Sequence, residues 1–392
     1  MDASGAGSEE DTMPDSTLDS VLSSGVLGME TPLDSIAQSL EQFFAADHTR
    51  TRAALMNFAI FSDRPEDLPV LDAQLQSITR DHACRGLLMA AGLPHESYQA
   101  QAWIKGQCHL DGAGGKFRCS EQVSFLVRGR SEGFLTNLIF ANLRSDLPLV
   151  IWWQASLSPH FQERLYSRID RLIFDSSRWA DPLTEFAAVR QALESRSAQF
   201  QSGAPGSLLL HDLAYTRGHE HRRAIALLFD DPWAQQHIPN LDRVEISYRG
   251  GHRHSALYLG AWLALQLQAE SPRRAAPDVI SFRRGDQPFT LLLARDREPE
   301  GPILPAVTLS CPGAAFSILP AMEGSHLQAR AISGGLRKEH LLPANPAADV
   351  DLVSGIVMRC GTNQLLARVL PKFLALLDLA PGQADTDKAP FA

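Results

Sequence analysis

At 392 residues, 44% apolar and 21% charged, the chain is too long for one ordinary domain and too apolar to be disordered or fibrous, so two domains are expected. Most of the net charge of -9 falls in residues 1–34, which hold eight acidic residues and no Lys or Arg; the near balance of the rest excludes the basic stripe of a nucleic-acid surface and the polybasic patch of a lipid-binding one. No apolar run approaches the roughly 20 residues of a membrane span, no basic-then-apolar leader opens the chain, and the five cysteines (Cys84, Cys108, Cys119, Cys311, Cys360) form neither a disulfide framework nor a CxxC knuckle, so a reducing, cytoplasmic setting is expected.

Residues 1–33 read as a disordered acidic tail. Thr31-Pro32-Leu33-Asp34 is a helix-start signal, and Ile36, Leu40, Phe43 and Phe44 follow at helical spacing. A strand is predicted over 56–61. Leu71, Leu75 and Ile78 mark one face of a helix, and a second strand is expected over 86–91. Residues 98–110 and 116–127 read as a hairpin joined by Asp111-Gly112-Ala113-Gly114-Gly115. A helix over 134–143 precedes a strand over 149–153 that is apolar at every position, as in sheets covered on both faces. Then come a helix over 161–169, a strand over 171–175 and a helix opened by Asp181-Pro182 and running to about residue 196.

The glycine- and proline-rich stretch 202–206 is the expected linker. Beyond it, 212–237 is mainly helical, 244–248 is a strand and 255–267 an apolar helix. Strands at 279–282, 289–294 and 306–311, with one or two more before residue 342, lead to closing helices over 349–379, with Pro371 as a kink or break. The fold class expected is α/β: two domains, 34–203 and 206–380, each a mixed sheet flanked by helices, with a flexible tail at 381–392.

Few residues carry recognisable chemistry. The glycine run 111–116 lacks the upstream Gly of a phosphate loop, has Phe117 where Ser or Thr is needed, and lies between two strands. No GxGxxG follows a strand, so no dinucleotide cofactor is expected. His219 and His221 flank Glu220 in a helical context, where residues two apart diverge, which weighs against a metal pair. His252 and His254 follow Gly250-Gly251 just before a helix; with Arg249 and Arg253 they offer an anion site near that helix start, against the plainer reading of a solvated loop. No nucleophile elbow or protease cysteine is present. Cys119 reads as a core residue of the hairpin, with a redox thiol as the alternative.

Several phrases nevertheless occur in the order of one family. Thr49-Arg50-Thr51-Arg52 with Met56-Asn57-Phe58, Asp81-His82-Ala83-Cys84-Arg85-Gly86, Cys119-Ser120-Glu121-Gln122-Val123, Asp146-Leu147-Pro148-Leu149-Val150-Ile151-Trp152-Trp153, and Arg171-Leu172-Ile173-Phe174-Asp175-Ser176-Ser177 resemble phrases of the OpcA family, the glucose-6-phosphate dehydrogenase assembly proteins. Asp212-Leu213-Ala214-Tyr215-Thr216-Arg217, Arg222 to Asp230, and Ala256 to Ala264 continue the resemblance, with Ala83 and Tyr215 as departures from the family's usual Pro and Trp. It runs from about residue 50 to about residue 267.

The resemblance implies a non-catalytic protein that associates with glucose-6-phosphate dehydrogenase, promotes its active oligomer and so supports NADPH production, the nicotinamide cofactor belonging to the partner. Aromatic and Arg residues favour interface cores, which makes Trp153, Trp179, Trp233 and Tyr248 candidate partner contacts. The competing readings are a metal- or phosphate-dependent α/β enzyme and a sugar-phosphate sensor, both using the loop from Arg249 to His254.

Overall fold

The computed structural model describes residues 22, 25–46, 50–93, 99–110, 117–129, 133–159, 161–201, 208–298, 300–321, 324–344, 348–359 and 363–379. Most of the acidic tail, the hairpin turn 111–116, the linker 202–206, Cys360 and the tail 381–392 lie outside the described residues. The chain divides into two compact units, Met1–Pro148 and Leu149–Ala392, taken in turn.

In the first unit the expected alternation of strands and helices is present. Its elements are β1 (Met29–Thr31), α1 (Ile36–Ala45), β2 (Arg50–Arg52), β3 (Asn57–Ser62), α2 (Leu68–Asp81), β4 (Arg85–Leu93), β5 (Gln99–Leu110), β6 (Phe117–Arg128) and α3 (Phe134–Ala141). The sheet order β1-β5-β6-β4-β3, with β2 also against β6, is mixed: β3, β4, β6 and β2 run parallel, whereas β5 is antiparallel to both its neighbours, β6 and β1. All six residues of β3 are buried, and Leu71, Leu75 and Ile78 of α2 are fully buried. β1 falls inside the stretch expected to be disordered; three residues give no periodicity to read, and their order comes from hydrogen bonding to β5.

Glu121, within β6, organises the amino ends of β3 and β4. It is buried, and Arg52, Arg85 and Arg144 all direct guanidinium groups at it. Burial opposes its charge, but the three arginines outweigh that and hold its carboxyl below the usual range. Asn57 ties the same region together: its side chain donates to the carbonyls of Arg144 and Leu147 (2.9 Å each) and accepts from the Arg144 N–H (2.9 Å). Ala83, standing where the family has Pro, is buried and its carbonyl accepts from the Leu55 N–H.

The cysteine expectation needs correction. Cys108 and Cys119 face each other across the β5–β6 register and form a disulfide, so Cys119 is a buried half-cystine in place of a free thiol. The signal was in the spacing, since both stand equally far from the middle of the turn. Cys84 and Cys311 are buried free thiols, and desolvation pushes the Cys84 thiol up to about 12.

The second unit opens with three parallel strands, β7 (Leu149–Trp153), β8 (Arg171–Phe174) and β9 (Leu209–Asp212). Every residue of β7 is buried, as its unbroken apolar run predicts. Between them lie α4 (Glu163–Tyr166), a single turn where a longer helix was expected, and α5 (Pro182–Gln201). Next come α6 (Leu213–Arg217), α7 (His219–Phe229), a one-turn helix Pro232–Gln235, β10 (Arg243–Arg249) and α8 (Arg253–Gln266). An eight-stranded sheet follows the order β11-β12-β13-β10-β14-β15-β16-β17, with β11 Glu270–Ala276, β12 Val279–Arg284, β13 Gln287–Asp296, β14 Ala306–Cys311, β15 Ala314–Pro320, β16 His326–Ser333 and β17 Leu336–Pro343. It is mixed, because β10 runs parallel to β13 and antiparallel to β14.

The sheet has two or three strands more than the five or six expected, and its two edges are among the least legible in sequence. β11 and β17 are largely exposed and charged, so neither offers an apolar alternation. On the inner face α8 packs closely against β13: a Cβ added at Gly260 would come within 2.6 Å of Leu291 Cδ2. Finally α9 (Asp349–Met358) and α10 (Gln364–Leu379) close the unit. Pro371 sits inside α10 without ending it.

Removing the disulfide by Cys108→Ser or Cys119→Ser should lower stability by roughly 2 to 3 kcal/mol, since the loop it closes is short. Denaturant unfolding of both variants, and of the unmodified chain with and without dithiothreitol, checks this; identical midpoints throughout would refute it.

Candidate functional site

Ligands of parallel α/β sheets sit at the carboxyl ends of the strands. The Glu121 cluster lies at amino ends, so the place to look is just past β8 and β9. There the chain sets two acids side by side, Asp175 after β8 and Asp212 as the last residue of β9. Both cap short helical turns with their own carboxylates, Asp175 accepting from the Ser177 N–H (3.1 Å) and Asp212 from the Ala214 N–H (2.9 Å). Capping explains why an acid ends each strand: the orphan N–H groups of the following turn need an acceptor.

Around Asp175 the charges close into a ring. Arg217 grips it with two hydrogen bonds, Nη1 to Oδ1 (3.0 Å) and Nη2 to Oδ2 (2.6 Å), and also reaches Asp349 Oδ1 at 2.5 Å. Arg178 completes the circuit, with Nη2 on Asp349 Oδ2 (2.6 Å) and Nε on Asp175 Oδ2 (3.3 Å). Burial disfavours the Asp175 anion, yet Arg217 overcomes it and holds that carboxyl well below the ordinary range, while Asp175 and Asp349 raise Arg217 further. The four charges sum to zero, as a buried cluster requires.

Asp212 has no such partner. Its Oδ1 also accepts from the Ser176 N–H (3.1 Å), and its Oδ2 accepts from the Tyr258 hydroxyl (2.9 Å). Desolvation first, and the Asp175 charge second, push its carboxyl up to about 7. Tyr258 is stacked face to face on Phe373 with centroids 3.6 Å apart and meets the edge of Tyr215, over which Arg222 lies. The result is a fixed anion beside a carboxyl able to hold a proton near neutrality, an arrangement suited to sensing protons or a nearby charge. Among the described residues no group of three or more His, Cys, Asp or Glu is placed to hold a metal ion.

The loop residues singled out in the sequence do not converge on one ligand. Arg249 donates to the Gly301 carbonyl and Arg253 to Asp278 Oδ1 (2.9 Å). The two histidines instead turn toward the acid cluster. His254 Nδ1 lies 3.1 Å from Ser176 Oγ, and His252 is brought down to about 4 by burial and then by Arg217. His252 Nδ1 and the hydroxyl of Ser255, both buried, have no hydrogen-bond partner among the described residues.

Of the aromatic candidates, Trp153, Trp179 and Tyr248 are buried, at 1%, 7% and 4% exposure. Trp153 donates to the Ser156 carbonyl and Trp179 stacks on Phe174, so each packs inside the fold and the expectation of a surface contact gives way. Trp233 is half-buried, with Lys338 over its ring. Sequence reasoning missed Asp212, Tyr258, Arg217 and Asp349 as a group. Three of the four lay within family-like phrases, but Asp349 is 132 residues from Arg217, a separation that no local pattern bridges.

The family description for the N-terminal domain of the glucose-6-phosphate dehydrogenase subunit matches residues 75–191, and the description for its C-terminal domain matches residues 209–368. No curated protein matches the chain. Among solved structures, a 3-ketoreductase from Actinomadura kijaniata is 10% identical, with 83% of this chain and 97% of that one covered at a TM-score of 0.45. An oxidoreductase from Parabacteroides merdae is 9% identical, covering 84% and 99% at a TM-score of 0.48.

Two outcomes test the cluster. An acid whose pKa is higher folded than unfolded binds its proton more tightly in the folded state. Asp212 therefore costs stability as pH rises from its ordinary value of about 3.9 toward 7, with no further change above. Asp175, being depressed, loses its contribution only below about 3.9. Asp212→Asn should thus unfold at higher denaturant than the parent at pH 8, by a margin that shrinks as pH falls toward the ordinary carboxyl range; a margin independent of pH would exclude the raised carboxyl. Arg217→Ala leaves Asp175 and Asp349 to share the single Arg178 and should cost on the order of 3 to 5 kcal/mol at pH 7, read from chemical denaturation, and a loss under about 1 kcal/mol would show the ring to be unimportant.

Proposed function

Because the chain belongs to the family of glucose-6-phosphate dehydrogenase assembly proteins, we propose that it acts by docking on that dehydrogenase and favouring its active oligomer, without performing a reaction of its own. The observation that carries this reading is the pair of family matches, in order, over residues 75–191 and 209–368. The physical mechanism is linkage: a partner that binds one assembly state better than another shifts the population by that difference in affinity. A coupling of roughly 1–3 kcal/mol would change the enzyme's substrate affinity by about 5- to 150-fold.

Two features favour docking over catalysis at the loop from Arg249 to His254. Arg249, Arg253 and His254 are engaged with separate partners within the fold, and Asp175 and Asp349 are neutralised internally by arginines. The nicotinamide chemistry then belongs to the dehydrogenase. Trp233 is the accessible member of the four aromatic candidates and the one kept as a contact. No helix among the described residues is long and apolar enough to cross a membrane. We place the encounter in the cytoplasm on the family membership alone, since the Cys108–Cys119 disulfide removes the cysteine argument for a reducing setting.

Mixing the chain with the dehydrogenase of the same organism tests the proposal. Co-elution on size exclusion, a shift of the enzyme toward a larger species and a lowered KM are expected. No co-elution together with unchanged kinetics would overturn it.

A further inference from the structure

We propose that a cleft between α6 and α9 in the second unit binds a small phosphorylated polyol, with Arg359 and His219 taking the phosphate and Asp351 the hydroxyl groups. The cleft has a volume of about 160 Å³ and is lined by Thr216, His219, Asp351, Gly355 and Arg359, with Leu352 and Ile356 beside them. At ~30 Å³ per water this is room for about five, enough for a phosphate and a short hydroxylated stem but not for a nucleotide.

Glycine makes the space. A Cβ added at Gly355 would meet no atom within 4 Å, so the missing side chain is not demanded by packing on a neighbour. Asp351 stands four residues earlier, on the same face of α9. Both ends of this helix are fixed. Asp349 is held by Arg217 and Arg178, and Arg171 donates to the carbonyls of Ile356 (2.6 Å) and Arg359 (3.2 Å). The wall is therefore preformed, as small-ligand sites usually are.

The charge pattern selects the ligand. Arg359 is exposed at the rim and its field reaches both His211 and His219, with Arg171 and Arg222 adding to it. Glu220 lies 3.8 Å from His219 and is paired with Arg223 at 3.6 Å, so an anion entering here still meets more arginine than carboxylate on that side. On the other side Asp351 repels a second anion but accepts hydrogen bonds from hydroxyl groups. Thr216, whose own hydroxyl donates to the Asp212 carbonyl at 2.9 Å, is left as an acceptor. A ligand with phosphates at both ends would be repelled by Asp351, and a neutral sugar would not use the arginine.

Titration calorimetry of the full chain at low ionic strength, with inorganic phosphate, glycerol 3-phosphate and glycerol, tests this. Glycerol 3-phosphate should bind at least tenfold tighter than glycerol. Arg359→Ala should weaken it tenfold or more, and Gly355→Leu should abolish binding by filling the cleft. Asp351→Asn should weaken glycerol 3-phosphate while sparing inorganic phosphate. Equal affinity for glycerol, or wild-type binding by Arg359→Ala or Gly355→Leu, would overturn the site. An unchanged glycerol 3-phosphate affinity in Asp351→Asn would overturn the part given to the hydroxyl groups. Thermal melts of each variant in plain buffer separate lost binding from lost folding.

Discussion

Two carboxylates placed side by side in a dry interior cannot both stay charged without help, and the second unit is arranged around that constraint. Asp175 keeps its charge because Arg217 grips both its oxygens; Asp212, given only backbone donors and a tyrosine hydroxyl, yields and holds a proton to about 7. The distribution of arginine decides which acid gives way. It also recruits α9, since Asp349 supplies the second negative charge that Arg217 and Arg178 need. Remove the constraint and there is no electrostatic reason for a helix from near the end of the chain to lie against a turn that follows β9.

The first unit solves a similar problem with the opposite surplus. One buried glutamate faces three arginines, leaving excess positive charge at the amino ends of the strands. Two of those arginines keep about a third of their side chains exposed (34% for Arg52 and 37% for Arg144), so water carries part of the cost. The family-like phrases of the sequence meet in these two places. Arg52, Asn57, Arg85 and Glu121 gather around one cluster; Asp175, Ser176, Asp212 and Arg217 gather around the other. What looks like scattered similarity along the chain is a pair of polar cores, each needing all its members at once to remain neutral or hydrogen-bonded.

How much of this could be read beforehand depended on the range of the interaction. β7 announced itself through five consecutive apolar residues, and α2 through Leu71, Leu75 and Ile78, because burial writes a local period. β11 and β17 were silent, since edge strands with charged, exposed residues write none. The Arg249 to His254 loop looked like one site because its residues are adjacent in sequence, yet the chain turns there and sends Arg249, Arg253 and His254 to three different partners. Asp349 was invisible for the converse reason: its partners are far away in the chain, and an ion pair leaves no periodic trace. The cystine between Cys108 and Cys119 was within reach, had the hairpin register been followed from the turn outward.

The position of β10 has a consequence for how the molecule is made. This strand precedes α8, yet it lies in the middle of its sheet, hydrogen-bonded on one side to β13 and on the other to β14. Both neighbours are synthesised later. At the ribosome, β10 therefore emerges with two bare edges: one waits for β13, ending at Asp296, and the other for β14, ending at Cys311, to leave the exit tunnel. Closing such long-range pairs is slow, and an unpaired apolar strand is prone to the wrong neighbour. During that interval α8, the element made immediately after it, is already at hand to shield its inner face.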